Sequence, residues 1–471
     1  MDSIKIVWVC NKMPTKVSKL RDKQADNFGG WIDWTCEELS NREDIHLCVL
    51  FPDITEYEGG DDSFSYYSFH ESDCMDRFEF IIEKEHPDVI HMWGTEFGHS
   101  NETMKVCQKL GLADRCIISI QGLVSLYGKR HYIEGVPDKV VRRYTLRDFL
   151  KRSNIQKGRE QFIQRGRYEI EALKRTKHII GRTDWDRAAS QMFNPEARYH
   201  FCNESLRDSF YENRWDLNRI ERYSIFVSQC SYPIKGFHYV LEALPEILKR
   251  HPDAHVYTTG KDLLSLSMKG KLLITSYQKY LLELIDKYDL RGHVSFLGNL
   301  SETEMCKQYL KANVFVSAST IENSPNSVGE AMIVGCPVVS SDVGGVKNLL
   351  EHNTEGFVYQ SSAPYMLAYY VNRVFEDDDL AIQFSENARN HASKTHNREV
   401  NMETLLNIYK EVVDCPIPVC VGGGTRYLPE CIFGISVYTT VGAICNSSAG
   451  KIENTTIEIA DQNNYDDLLC A

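Results

Sequence analysis

The segment "VFVSASTIENSPNSVGEAMIVGCPVVSSDVGG", residues 314–345, reads as strand, loop, helix, strand and glycine turn in unbroken succession. Its first run, "VFVSAS" (314–319), is apolar and of strand length, and "PVVSS" (337–341) is its counterpart after the helix. Between them Asn326 is placed as a helix N-cap, Gly335 as the residue past the helix end, and Pro337 as a bar to continuation. The free N–H groups of Ser327 and Val328 then form the positive end of a helix, suited to a phosphate. Two carboxylates flank this anion site. Glu330, one turn into the helix, is a poor neighbour for a phosphate but a good acceptor for the vicinal hydroxyls of a ribose. Glu322, on the preceding loop, can hold the hydroxyls of a second polar group. A sugar joined through phosphate to a ribose fits the arrangement. On spacing alone, Glu330 could equally complement the helix dipole while Glu322 is solvated. The setting between two strands, ahead of the "SDVGG" turn, favours the ligand reading.

Outward from this segment the same alternation continues. "IKIVWVC" (4–10), "IHLCVLF" (45–51), "DVIHMW" (88–93), "CIISI" (116–120) and "HIIG" (178–181) are short apolar runs, most of them separated by helical stretches. The pattern restarts with "YSIFVSQ" (223–229), "AHVYTTG" (254–260) and "VSFLG" (294–298) before reaching residue 314. Alternation of this kind predicts a parallel sheet wrapped by helices, here twice, with the junction near residues 199–215 and ligands at the carboxyl ends of strands. The fold class expected is therefore α/β, two Rossmann-like domains facing each other across a cleft.

The formal net charge of −13 argues against general nucleic-acid binding. The sequence holds no apolar run long enough to span a membrane, and the opening "MDSIKIVWVCNKMP" reads as a buried strand, not a signal peptide. A cytoplasmic protein is expected, with its fifteen cysteines as small buried residues and neither disulfides nor metal. No GxGxxG follows the first strand, which disfavours a Rossmann dehydrogenase.

Residues 294–358, with "PIKGF" (233–237) and the early "GGW" (29–31), resemble the donor-binding core of retaining GT-B glycosyltransferases of the family 4 type, the group that includes phosphatidylinositol mannosyltransferases. The similarity extends over roughly residues 1–412. It implies an N-terminal acceptor domain (1–205), a C-terminal nucleotide-sugar donor domain (206–395), a helix returning toward the first domain (396–413) and an appendage (414–471) of open structure. It also implies metal-independent sugar transfer from a nucleoside-diphosphate donor, with no cofactor beyond that co-substrate. Glu330 matches the ribose-holding acid, Glu322 the acid near the reacting carbon, and Lys235 the lysine paired with the diphosphate. Gly29 and Gly30 match the first-strand glycine loop that approaches the diphosphate. Gly298, Asn299 and Leu300 match the loop bordering the nucleobase; Asn326, Ser327 and Val328 are expected at the donor from their place at the helix start.

The sequence departs from the family pattern at three places. Gln229 stands where many relatives carry an arginine six residues before the lysine, and Lys261 is the expected substitute cation. Gln121 stands where many carry a catalytic-domain histidine; its amide can hydrogen-bond but not titrate. Pro325 removes one N–H from the phosphate loop.

For the acceptor, "IHMWGTEFGHS" (90–100) offers His91, Trp93, Thr95 and Glu96, a flat apolar surface with hydroxyl-binding groups. Thr183 and Asp186 read as a helix capping box. Residues 141–177 carry twelve Lys/Arg against four Asp/Glu, interleaved with Tyr144, Leu146, Phe149, Leu150, Phe162 and Ile163. Such a run is ordinarily a solvated helix face; the interleaving suits peripheral docking on an anionic membrane beside a lipid-linked acceptor. The function expected is sugar transfer to a glycan or lipid-linked saccharide in surface polysaccharide biosynthesis. A non-catalytic GT-B partner protein and a sugar-nucleotide 2-epimerase remain the rival readings.

Overall fold

A computed structural model describes residues 3–22, 32–61, 63–71 and 74–414, all within one unit that ends at Ile417. Gly29, Gly30 and the appendage beyond residue 414 lie outside the described residues.

The first sheet is built from β1 (Ile4–Cys10), β2 (Ile45–Pro52), β3 (Glu58–Gly60), β4 (Phe64–Phe69), β5 (Val89–Trp93), β6 (Cys116–Ser119), β7 (His178–Gly181) and β8 (Arg198–Phe201). The second comprises β9 (Ser224–Val227), β10 (His255–Thr258), β11 (Val294–Phe296), β12 (Val314–Ser317), β13 (Val338–Asp342) and β14 (Gly356–Gln360). Their orders are β3-β4-β2-β1-β5-β6-β7-β8 and β11-β10-β9-β12-β13-β14. Every pairing is parallel except β3 with β4. Strands covered on both faces must be apolar throughout, which is why "IVWVC" and "VFVS" are buried without interruption. In each sheet the order reverses beside the first strand, β1 or β9, and the crevice at such a reversal is where α/β sheets hold ligands.

Four strands escape the apolar-run pattern, the three-residue β3 ("EGG") among them. β4 ("FSYYSF") interleaves serines with aromatics, and β8 is an edge strand in which only His200 is fully buried. β14 ("GFVYQ") closes the far edge of the second sheet.

Segments from one half of the chain pack into the core of the other. Tyr132, Val136, Val140, Val141 and Ile155 come from the long β6–β7 connection yet join the core under the second sheet. Conversely, the helix Arg398–Asp414 inserts Met402, Leu405, Ile408, Tyr409 and Val412 among Trp8, Trp93 and Ile117 of the first. Its anchor is polar. Tyr409 Oη accepts from Trp8 Nε1 at 2.9 Å and meets His91 Nδ1 at 2.7 Å, while His91 Nε2 meets Ser119 Oγ at 2.7 Å. Burial drives His91 down to about 3, so its ring is neutral at physiological pH.

Tyr409→Phe keeps the ring but leaves two buried groups without a partner. The expected loss is about 1–3 kcal/mol, read as a lowered urea midpoint with an unchanged slope; an unaltered midpoint would show that the hydroxyl does not anchor the helix.

Candidate functional site

The loops that follow β9, β10, β11 and β12 enclose, with those after β6 and β7 of the first sheet, a cavity of about 580 Å³. The chain must turn abruptly to present Lys235 here. Residues Pro233–Lys235 form a 3₁₀ turn that ends at Gly236 with φ 65°, and a Cβ at that position would strike the carbonyl oxygen of Ala318. Lys235 Nζ donates to Glu322 Oε1 at 2.6 Å, and Ser319 Oγ donates to the same oxygen at 2.7 Å. Burial alone would pull the ammonium down, but the Glu322 carboxylate outweighs it and holds Lys235 above its ordinary value. The lysine is therefore charged at all physiological pH values. Glu322 is placed by its own backbone: its carbonyl accepts from Gly345 N at 3.1 Å, and Gly344, with φ 50°, passes too close to that carbonyl for any Cβ.

The helix Asn326–Val334 starts one residue earlier than the sequence reading has it. Pro325, extended at φ −69° and ψ 113°, occupies the N-cap position, and no side chain caps the helix. Asn326 is thus the first helical residue and not the cap. Val328 N donates to the Pro325 carbonyl at 3.0 Å, and the Val328 side chain is wholly buried, so neither group of this residue is offered to the cavity. The N–H groups of Asn326 and Ser327 have no partner among the described residues, and both residues line the cavity. Gly335 closes the helix in the left-handed region at φ 88°, as its position implies.

Glu330 sits behind this helix start and not on the cavity wall. It is 6% exposed, with Oε1 accepting from Arg207 Nη2 at 2.7 Å and Oε2 from Tyr309 Oη at 3.1 Å. Burial raises its carboxyl and Arg207 opposes the rise. Arg207, which holds Glu330, itself lines the cavity.

Gln229, Asn299 and Leu300 are on the wall; Gly298 makes an antiparallel bridge with Gly260 just behind them. Lys261 is exposed and is not among the lining residues, though its neighbour Gly260 is. Two arginines that the sequence reading passed over do line the cavity, Arg207 and Arg182. Arg182 directly follows β7, the type of position where a parallel sheet presents ligand-binding groups. Arg182 Nη1 and Gln121 Nε2 each meet Glu204, at 2.5 Å on separate oxygens, which fixes Gln121 on the opposite wall from Lys235. Thr183 and Asp186 form the expected capping box.

Three of the acceptor candidates, His91, Trp93 and Thr95, are buried, and Glu96 is partly buried. His91 and Trp93 lie on β5 within the core, His91 held by Tyr409 and Ser119. Thr95 is fully buried, its hydroxyl donating to Glu169 at 2.8 Å. Glu96 accepts from Asn11 at 3.0 Å and is raised by burial, with Asn11 and Arg165 opposing. Strand β5 is central in its sheet, so its side chains meet covering layers on both faces, and Glu169 draws the following loop in as well. None of the four lines the cavity.

Among known proteins, residues 209–391 match the family described as Glycosyl transferases group 1. The relatives include an uncharacterized glycosyltransferase of Methanocaldococcus jannaschii, 28% identical over 190 residues, which are 40% of this chain and 45% of that protein. The chain spans about half the length of the relatives it matches. Among solved structures, sucrose-phosphate synthase from Thermosynechococcus elongatus superposes with a TM-score of 0.60 at 14% identity, over 87% of this chain and 99% of that one. Anabaena HepE in complex with UDP superposes with a TM-score of 0.59 at 14% identity, over 87% and 100%. The fold is the GT-B arrangement of two parallel-sheet α/β domains.

Glu169, which draws in the loop at Thr95, accepts from Val124 N at 3.1 Å and Ser125 N at 2.9 Å, yet burial raises it to about 7. Between the ordinary value of 4.5 and about 7 the folded chain holds a proton that the unfolded chain releases. This carboxyl's contribution to stability is therefore complete below pH 4.5 and drains away as the pH climbs to about 7. In Glu169→Gln that drain, on the order of 3 kcal/mol, should vanish from the pH profile of the urea midpoint. Parallel profiles for the two proteins would refute the assignment.

Proposed function

We propose that the chain is a retaining, metal-independent glycosyltransferase that moves a sugar from a nucleoside-diphosphate donor to a glycan or lipid-linked saccharide in surface polysaccharide biosynthesis. One observation carries this reading: the Lys235–Glu322 pair, 2.6 Å apart, stands in the same cavity as the uncapped helix start at Asn326 and Ser327. The donor's diphosphate takes the two free N–H groups and Lys235. Released from the lysine, Glu322 accepts from hydroxyls of the donor sugar, and Glu330 from the ribose once Arg207 swings toward phosphate. As the glycosidic bond breaks, negative charge gathers on the departing phosphate beside a fixed ammonium, where one such donor is worth about 3–4 kcal/mol. In the front-face course implied by the family resemblance, that phosphate oxygen also takes the acceptor's proton, so the amide of Gln121 needs only to orient a hydroxyl or phosphate. HepE, solved with UDP and with UDP-glucose, supports the donor class.

Nucleoside-diphosphate sugars screened by thermal shift should include one that stabilises the chain by about 2.7 kcal/mol at a hundredfold excess over Kd. With that donor, Lys235→Ala should lose roughly 10²–10³-fold in turnover, with Glu322→Gln similarly impaired, and rates well below the melting temperature should survive EDTA. Binding without transfer or hydrolysis would identify a non-catalytic relative; conversion of the donor without an acceptor would identify an epimerase.

The acceptor reading includes a membrane contact. Among the described residues no helix is long and apolar enough to cross a bilayer. Tyr144, Leu146, Phe149 and Leu150 are nevertheless 49%, 50%, 72% and 64% exposed, beside exposed Arg142, Lys151 and Arg152. Phe162 and Ile163 are partly buried, Phe162 against Tyr132, and take no part. Apolar side chains set among cations suit an anionic headgroup layer. Flotation with anionic vesicles should be weakened several-fold by Phe149→Asp with Leu150→Asp; equal, weak flotation on neutral vesicles would end the idea.

A further inference from the structure

A second constellation lies outside the cavity, at the edge of the first sheet. In the parallel pair β7–β8, His178 is opposite Arg198 and Ile180 opposite His200. The two histidines are thus diagonal neighbours on one face of the sheet, as a two-residue period requires. The last turn of the helix Arg398–Asp414 brings Glu411 to the same point. His178 Nδ1 and His200 Nε2 are 3.0 Å apart, and Glu411 Oε1 is 4.0 Å from His200 Nε2. All three donor atoms fall within 4.8 Å of one another.

Protein contacts alone leave this cluster incomplete. Glu411 Oε2 is engaged by Arg198 Nη2 at 2.7 Å, but Oε1 is buried with no hydrogen-bond partner. One proton between the two rings satisfies one N–H and one lone pair and leaves the carboxylate oxygen facing them unmet. Ring nitrogens held 3.0 Å apart also have the spacing of two ligands on one ion, since bonds of about 2.0–2.1 Å around a tetrahedral centre set nitrogens roughly 3.3 Å apart. A small rotation of Glu411 brings its oxygen into the same sphere. We propose that His178, His200 and Glu411 bind a divalent transition-metal ion, zinc by ligand type, which fastens the end of the helix Arg398–Asp414 to edge strand β8. Two imidazoles and a carboxylate suit zinc over magnesium or calcium, whose partners are oxygens. Burial keeps both rings down to about 4, leaving their nitrogens free of extra protons at neutral pH. Arg198 on Oε2 orients the carboxylate in the manner of outer-sphere partners in metal sites. Glu411, with its side chain 34% exposed, leaves the ion a route in from solvent. No member of the cluster lines the donor cavity, so the ion is structural and takes no part in sugar transfer.

The test uses the full chain, stripped with EDTA and dialysed against zinc. The chain should take up one equivalent at micromolar or lower free zinc, with Tm raised by several degrees. His200→Ala and Glu411→Gln should each bring the bound zinc from one per chain to near zero and abolish the rise. Glu411→Gln, at the periphery, gives the same readout should His200→Ala fail to fold. Absence of stoichiometric uptake by the parent chain, or an equal uptake and Tm rise in the Glu411→Gln variant, would overturn the site.

Discussion

The contact between Lys235 and Glu322 organises the cavity. An ammonium and a carboxylate drawn out of water each cost several kcal/mol, and their attraction offsets this only where further hydrogen bonds complete the geometry. Ser319 supplies one, and the turns at Gly236 and Gly344 hold the two backbones at distances that no side chain would permit. The pair also sets a condition on any ligand. An anion that claims Lys235 strips Glu322 of its counter-charge, and a bare diphosphate would leave that carboxylate half-buried with only the Ser319 hydroxyl as partner. A diphosphate that carries hydroxyls beyond its terminal phosphorus repairs both losses at once. The chemistry of the empty pair therefore favours an activated sugar over a nucleotide alone.

Much of this was legible in the sequence because parallel sheets write their interior plainly. Ten of the fourteen strands appear as short apolar runs, and positions just past their ends, such as Gln121, Gln229, Asn299 and Glu322, converge on the cavity as the reversal of strand order requires. What failed to show has physical causes. β4 hides its aromatics among serines, and β8 is an edge strand without an apolar run. Asn326 has the composition of a cap, but the extended conformation of Pro325 takes that position. Arg207 lies in the connection between the sheets, and its partner Glu330 is 123 residues away, a pairing that no local pattern encodes. His91, Trp93 and Thr95 read as a cleft surface from residue type alone; their inward direction follows from the central place of β5 and from a glutamate on a helix far along the chain.

The two sheets are fastened by the same loops that form the cavity. Thr320 Oγ1 donates to the His131 carbonyl at 2.7 Å, and Thr183 Oγ1 donates to Asn323 Oδ1 at 2.7 Å. These contacts bracket Glu322 on either side. Asn348 Nδ2 and Asp184 Oδ2, 3.0 Å apart, extend the seam away from it. A movement of one sheet against the other must therefore drag the 320–323 loop, and with it the carboxylate that Lys235 holds. The Lys235–Glu322 pair and the seam between the sheets thus share one short loop. On the proposed reading, part of the energy of donor binding would be spent on that loop, and the wall carrying Arg182 and Gln121 would respond to it.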